Sequence, residues 1–387
     1  MAVMSYKCPN CGGGLTFDPK KQQLVCEYCL SEFTEEEMKR LEAEEAKKRA
    51  EENGEDGASG VGSEAENGES AWNDDGAASE SGVEGSDVSG ADDDKDEGPV
   101  AYMCPSCGAE IVTDVTTAAT FCYYCHNPVV LSGRVSGEFL PDYVLPFAID
   151  RKQAEQRFMT WIGKKKFVPK SFYDKKQIEK LSGVYFPYLL YSCQVDGRIL
   201  AEGEKEYSWV TGNTRNTEHK RYKVERSGRL DVKNLTRNAL SKSNKQLVEG
   251  VLPFETEELV PFQTGYLSGF LAEKRDMESE TFTPEAEQEV KNYTVENLTS
   301  SISGYNSVRI QNSDTTIRNA KWQYALLPVW VMTYHHKEHG KTYYFAMNGQ
   351  TGKICGKLPV DKGRLAGLFA GIFVPMFAFL MLGGWFL

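Results

Sequence analysis

Eight of the chain's ten cysteines are the residues best placed to do chemistry, and they fall into one pattern written twice. Cys8-Pro-Asn-Cys11 is followed after fourteen residues by Cys26-Glu-Tyr-Cys29; Cys104-Pro-Ser-Cys107 is followed, again after fourteen, by Cys122-Tyr-Tyr-Cys125. Every cysteine of the second set lies 96 positions beyond its counterpart in the first. Two Cys-x-x-Cys pairs at this separation bring four soft thiolates to one tetrahedral ion, so each set is expected to hold a structural Zn²⁺. With four protein ligands such a site is closed and leaves no position for water or substrate. Pro9 and Pro105 preset φ in the first knuckle of each set, and Gly12 and Gly108 can take the positive φ that closes it. A rubredoxin-type iron site uses similar knuckles, and ligand softness favours zinc over it. Disulfides fit a small secreted protein, and no N-terminal signal peptide is read in this sequence. His126 reads as a neighbour of the second site, not as a fifth ligand.

The elements that must position these thiolates are short. Leu15-Thr16-Phe17 and Gln23-Leu24-Val25 lie between the pairs of the first set, Ile111-Val112-Thr113 and Ala119-Thr120-Phe121 between those of the second. Each set therefore reads as a zinc ribbon, two knuckles joined by a β-hairpin, over residues 1–33 and 100–132. Residues 34–99 separate them. Thr34 and Glu37 form a capping box for a helix from Glu35 to Glu52, and Gly, Ser, Glu, Asp and Ala dominate from Asn53 to Gly98. That second stretch lacks the apolar residues to offset its ordering entropy and is expected to be a disordered, self-repelling linker. From Glu35 to Glu97 there are 23 acidic and 6 basic residues, whereas Arg134 to Gly250 holds 23 basic and 14 acidic, so the chain's acidity belongs to one segment and its middle is basic. The ribbons themselves carry few cations: no Lys or Arg lies between Tyr102 and Val130.

Residues 133–362 read as an α+β body with an internal duplication. Val144-Leu145-Pro146-Phe147 recurs as Val251-Leu252-Pro253-Phe254. Asp150 caps a helix bearing Ala154, Phe158, Trp161 and Ile162 on one face, and Thr283-Pro284 opens a second helix. Each half then meets a strand interrupted by proline, Tyr185–Tyr191 and Ala325–Val331, which predicts an edge, a strand start or a bulge. A hairpin is expected after the second, turning at 337–341. Gly349-Gln-Thr-Gly352-Lys353 reads as a turn, because a P-loop needs four residues between its glycines. His335, His336 and His339 read as a solvated hairpin tip, and Cys193 and Cys355 as small buried hydrophobes. Residues 365–387 contain no charged side chain and are long enough for a single-pass transmembrane helix. Lys353, Lys357, Lys362 and Arg364 precede it, which by the positive-inside rule leaves the bulk of the chain cytoplasmic. Gly367 and Gly371 are spaced for helix–helix self-association.

Taken together, the ribbons, Leu326-Leu327-Pro328-Val329-Trp330, the run Tyr344 to Lys353 and the terminal span resemble the TFIIB-type zinc-ribbon membrane proteins of Gram-positive bacteria. Some of these carry labels as primosomal replication helicases or phage replication proteins. Such an ATPase needs a Gly-x-x-x-x-Gly-Lys-Ser/Thr loop that this sequence lacks. The resemblance implies Zn²⁺ on the eight cysteines, no catalytic residue, and partners in membrane complexes of the envelope-stress or SPFH-scaffold type. The expected function is thus a non-enzymatic, tail-anchored adaptor at the lipid bilayer, with the first ribbon on a long tether. The alternative is a membrane-tethered nucleic-acid-binding protein using the ribbons and the basic middle.

Overall fold

The computed structural model describes residues 3–52, 99–165, 167–169, 181–336, 341–358 and 360–385. The acidic stretch from Asn53 to Gly98 lies outside them. β1 (Val3–Met4) precedes the first cysteine set. β2 (Leu15–Asp18) and β3 (Gln23–Cys26) form the expected hairpin, with Leu15 opposite Cys26, and β4 (Glu32–Phe33) adds to β3. Strand alternation buries Leu15, Phe17, Leu24 and Cys26 on one face. α1 (Glu35–Glu52) starts at the expected capping box: the Glu37 N–H donates to Thr34 Oγ1 at 3.2 Å, and the Thr34 N–H donates to the Glu37 carboxylate at 2.8 Å.

The second set departs from the expected ribbon. β5 (Val100–Met103) pairs with β6 (Glu110–Thr113) across the first knuckle, and β7 (Thr117–Phe121) pairs with β8 (Pro128–Leu131) across the second. No hairpin joins β6 to β7. Ala118, Ala119 and Thr120 are all buried, and a strand so small and so fully covered suits a sheet interior rather than a half-solvated hairpin.

The body supplies that interior. Its elements are β9 (Tyr143–Val144), α2 (Arg151–Gly163), β10 (Ser182–Thr211), β11 (Thr214–Asn238), α3 (Lys245–Gly250), β12 (Val260–Pro261), β13 (Leu271–Glu273), α4 (Ser279–Ser300), β14 (Ser307–His336), β15 (Lys341–Asn348) and β16 (Ile354–Gly356). Among the described residues they form an eleven-stranded sheet ordered β1-β8-β7-β13-β10-β14-β15-β16, with β11, β9 and β12 branching from it. The fold is α+β as expected, yet both cysteine units are drawn into or onto the body rather than standing apart: β1 pairs with β8, and β7 pairs with β13 through Ala119 and Ala272.

The two halves of the body repeat one pattern of strand pairing, and its anchor is not the Val-Leu-Pro-Phe repeat. Strands β10 and β14 run antiparallel with Phe186 opposite Leu327. On either side of that pair the partners match: Val184 and Tyr185 meet Leu271 and Ala272 in parallel, and Ala325 and Leu326 meet Tyr143 and Val144 in parallel. Each half is therefore a short strand, a helix, a long strand and a return strand: β9-α2-β10-β11 and β13-α4-β14-β15. Val144 corresponds to Ala272, not to Val251. Pro187 and Pro328 occupy equivalent places in the two central strands. Each sits where one neighbour has ended and the next has not begun, β13 giving way to β11 and β9 to β15. The missing N–H thus falls in a gap, and each proline carbonyl accepts the N–H that follows the return strand, from Ala239 at 2.9 Å and Gly349 at 2.9 Å.

Of the two expected body helices, α2 meets expectation and α4 departs from it. α2 is capped by Asp150 with Gln153 completing the box, and it buries Ala154, Phe158 and Ile162. α4 begins at Ser279, so Pro284 lies inside it; Ser279 to Phe282 form the first turn, and the Thr283 hydroxyl donates to the Ser279 carbonyl at 2.9 Å. α4 buries Ala286, Val290 and Thr294 along β10. Its close approach requires Gly197, where a Cβ would stand 2.6 Å from Thr294 Cγ2. The uncovered face of the same strands is laced by Arg229–Asp196, Arg318–Asp196, Arg198–Glu225 and Arg221–Glu202 pairs, so part of the middle's basic excess is neutralised across strands.

α5 (Lys362–Trp385) takes the place of the expected span; Phe386 and Leu387 lie outside the described residues. Asp361 accepts the Gly363 and Arg364 N–H groups at 3.0 and 3.1 Å, which starts the helix three residues earlier than 365. It is tied to the body where the Asp361 N–H donates to the Phe167 carbonyl at 2.7 Å. From Lys362 to Met381 it is long and apolar enough to cross a membrane, and none of that stretch is buried against the rest of the protein.

Candidate metal centres

The four knuckles repeat one backbone geometry. The N–H of the leading cysteine donates to a carbonyl five residues on: Cys8 to Gly13 at 2.7 Å, Cys26 to Ser31 at 2.9 Å, Cys104 to Ala109 at 2.8 Å and Cys122 to Asn127 at 3.0 Å. The N–H four residues on returns to the cysteine carbonyl, from Gly12, Leu30, Gly108 and His126, at 2.8 to 3.0 Å. Closing that loop needs a left-handed residue. Gly12 and Gly108 supply it as expected, with φ of 73° and 72°. In the second knuckles Leu30 and His126 adopt φ of 61° and 58°, where an L side chain is disfavoured.

This geometry converges all eight cysteines into two clusters of four sulfurs, each cluster spanning no more than 4.8 Å. Sγ–Sγ separations are 3.5 Å for Cys8–Cys29 and Cys11–Cys26, and 3.7 Å for Cys104–Cys125 and Cys107–Cys122. A tetrahedral ion with metal–sulfur bonds of about 2.3 Å requires edges of about 3.8 Å, so both clusters fit a zinc-sized ion with little adjustment. Cys8, Cys26, Cys104 and Cys122 are buried, whereas Cys11, Cys29 and Cys107 face solvent and leave a route for metal entry. His126 is exposed and outside both clusters.

Without metal, the thiols within a cluster divide their protons unevenly. The Ser31 hydroxyl, 3.2 Å from the Cys29 sulfur, and the Ser31 N–H stabilise the thiolate and bring Cys29 down to about 6. At Cys11 the Gly13 N–H pulls downward, but the Cys26 and Cys29 sulfurs outweigh it and hold the thiol up at about 12. In the second cluster burial raises Cys122, yet the Cys125 and Tyr124 N–H groups prevail and leave it at about 7. Cys125 is pushed up to about 12 by burial and by the Cys107 and Cys122 sulfurs, against the Asn127 N–H. Near neutrality neither cluster is fully ionised, so a divalent cation that binds it displaces protons.

Both units are held by named contacts. The Phe17 N–H donates to the Ser268 carbonyl at 2.9 Å, and the Ser268 hydroxyl donates to the Leu15 carbonyl at 2.6 Å. Lys20 pairs with Asp150 at 2.5 Å, and the Gln22 amide donates to the Phe147 carbonyl at 2.9 Å. The first unit is therefore docked on the body, not held only by a tether. It also touches the second: a Cβ at Gly14 would stand 3.0 Å from Asn127 Oδ1. In the second unit Arg134, which sequence reasoning passed over, is buried; its guanidinium donates to the Asp114 and Thr117 carbonyls and lies 5.3 Å from the Tyr102 ring centroid. It clamps β5 and β6 to β7. The Leu30 and His126 conformations were missed as well, though both residues follow the last cysteine of a knuckle as Gly12 and Gly108 do.

The other sequence features take their places. Asn348 organises the Gly349–Lys353 turn, its Oδ1 accepting the Gln350 and Thr351 N–H groups at 2.9 Å each. Cys193 is buried; Cys355 is half-buried with its thiol 3.3 Å from the Leu247 carbonyl. His335 and His336 end β14, and His339 lies outside the described residues.

No family model matches the chain, and no solved structure matches it. Among curated proteins it is similar to the uncharacterized protein YdjG of Bacillus subtilis (strain 168), 30% identical over 341 residues that take in 74% of this chain and 99% of the relative.

Proposed function

The chain belongs to the same family as Bacillus subtilis YdjG, and from that premise we propose that it is a non-enzymatic, zinc-stabilised adaptor anchored in the membrane by α5. The observation that carries this reading is the bare apolar helix: a stretch of 20 residues, Lys362 to Met381, none of whose apolar window is buried in the protein. An apolar surface of this extent is stable when lipid covers it. Lys353, Lys357, Lys362 and Arg364 then lie on the cytoplasmic side, together with both cysteine units. Zn²⁺ is the ion whose softness and tetrahedral preference suit four thiolates, and its part is to hold shape. With the shape held, the second knuckles present Tyr28, Tyr123 and Tyr124 to solvent, at 79%, 68% and 72% exposure. Exposed aromatic residues on a rigid turn are efficient protein-contact groups. The resemblance to TFIIB-type zinc-ribbon membrane proteins adds the class of partner, envelope-stress or SPFH-type scaffold proteins, and the Gly367/Gly371 spacing adds self-association within the bilayer.

The test joins anchor and metal. The intact chain should fractionate with washed membranes and contain about two zinc ions per chain by elemental analysis, and deletion of Leu365–Leu387 should move it to the soluble fraction with its zinc unchanged. A truncated protein that stays in the membrane, or an intact one holding iron, defeats the corresponding half of the proposal.

A further inference from the structure

The long hairpin carries a groove that shares no residue with either cysteine cluster or with α5. Strand β11 pairs with β10 along one edge, and among the described residues its other edge has no strand partner. Edge N–H and C=O groups of this kind are a template for another strand. Beside β11 a groove of about 820 Å³ lies between α4 and the strand residues Leu230 to Leu235. The groove is apolar within, where Val232 and Leu235 of β11 meet Val290 of α4.

The rim has one sign of charge. Glu285, Glu289, Tyr293 and Glu296 recur along the α4 wall at helical spacing. Glu289 is bound by Arg237. Glu285 and Glu296 make no salt bridge among the described residues, and both are exposed. A free edge, an apolar slot beside it and a helix as the far wall are the components of strand addition, in which main-chain hydrogen bonds give affinity and alternate side chains enter the slot. The carboxylates fix the sign of the incoming chain. The acidic stretch of this chain, Glu55 to Glu97, has the same sign of charge as the rim.

We infer that the β11–α4 groove takes an extended segment of a protein partner as an added strand, with apolar side chains in the slot and Lys or Arg side chains on the Glu285–Glu296 rim. This interaction stands even if the anchor or metal reading falls, because it uses neither.

The probe is a fluorescent peptide of alternating Val and Lys, added to the full chain in detergent at low salt. Saturable binding is expected, with amide-exchange protection appearing in β11 around Leu230–Leu235. The same peptide with Glu in place of Lys should bind at least about tenfold more weakly, and the E285K/E296K variant should weaken the Lys peptide by a similar factor. Both substitutions fall on exposed helix positions, so retained far-ultraviolet dichroism is expected. A Lys peptide methylated on alternate amide nitrogens, on the side that would face β11, should lose binding. The inference is overturned by absence of saturable binding, by equal binding of the Glu peptide, by undiminished binding to the double variant, or by full binding of the methylated peptide.

Discussion

At the residue scale, the knuckles show where sequence and backbone pull in different directions. The residue after the second cysteine of each knuckle is left-handed in all four, yet only Gly12 and Gly108 suit that conformation. An L side chain there costs about 1–2 kcal/mol. Leu30 is 74% exposed, so truncating it loses little packing. Replacing Leu30 by Gly is therefore expected to leave the first metal centre as stable or more so, the relief of strain opposing the entropy that glycine adds to the unfolded chain. Gly108→Ala imports the strain into the second centre, where φ is 72° and no neighbour crowds the new methyl group. It should cost about 1 kcal/mol, read as several-fold faster zinc loss to a chelator. If Leu30→Gly weakens the first centre as much as Gly108→Ala weakens the second, left-handed strain is not what distinguishes the knuckles. The gathering of the eight cysteines into two clusters of four was legible from spacing alone, because it needs only residue type and separation. The Leu30 and His126 conformations were not, since neither residue type announces a positive φ; only laying the four knuckles on one another reveals it.

At the element scale, the sequence showed two prolines in apolar strands and was right about the local consequence and wrong about its place. Pro187 and Pro328 were expected at an edge, a strand start or a bulge, and each does meet an absent neighbour, but within a central strand. The Val-Leu-Pro-Phe repeat misled because four matching residues are weaker evidence than matched pairing. The true correspondence, Tyr143-Val144 with Leu271-Ala272, shares no residue and appears only once long-range partners are known. Local pattern does not encode such partners. Asp150 joins the two levels. Its carboxylate caps α2 by accepting the Gln153 N–H at 2.8 Å and also holds Lys20 of the first cysteine unit. Partial burial pushes its pKa up, but Lys20 and the Gln153 N–H more than offset this and leave it below the usual value. A depressed carboxyl stabilises the fold above its unfolded pKa of about 4, and that contribution fades as pH falls below it. The two roles separate by substitution. Asp150→Ala should cost about 1 kcal/mol through the lost cap, whereas Asp150→Asn keeps a good cap and loses the charge pair. Thermal melts above pH 5 should therefore rank wild type, then Asn, then Ala, and only wild type should lose stability from this site between about pH 5 and 3. Equal loss in the Asn and Ala variants would show that Lys20, not the cap, dominates.

At the scale of the whole molecule, the decisive feature is that the cysteine units are stitched into the body's framework. β1 of the first unit pairs with β8 of the second, and β7 continues through β13 to β10. Metal binding to four thiolates contributes on the order of 10 kcal/mol of folding free energy, comparable to the stability of a whole domain. Losing it should thus unfold the unit that holds it and fray whatever pairs with that unit. The central strands have a second source of stability: Tyr191, Cys193 and Val195 are buried beneath Ala286 and Val290 of α4, independently of any thiolate. Two tiers of stability are expected within one sheet. Chelation at neutral pH should abolish amide-exchange protection across β7 and β8 and weaken it at Leu271–Glu273, while β10 and its partners from Tyr188 to Ile199 stay protected. Cys104→Ser should reproduce that pattern with one metal retained, because its partner cluster at Cys8, Cys11, Cys26 and Cys29 is complete in itself. Cooperative loss of protection through β10 and β14 would mean instead that the metal centres nucleate the entire fold. The two outcomes differ in what remains when metal is scarce: an intact body with a frayed sheet edge, or no folded protein.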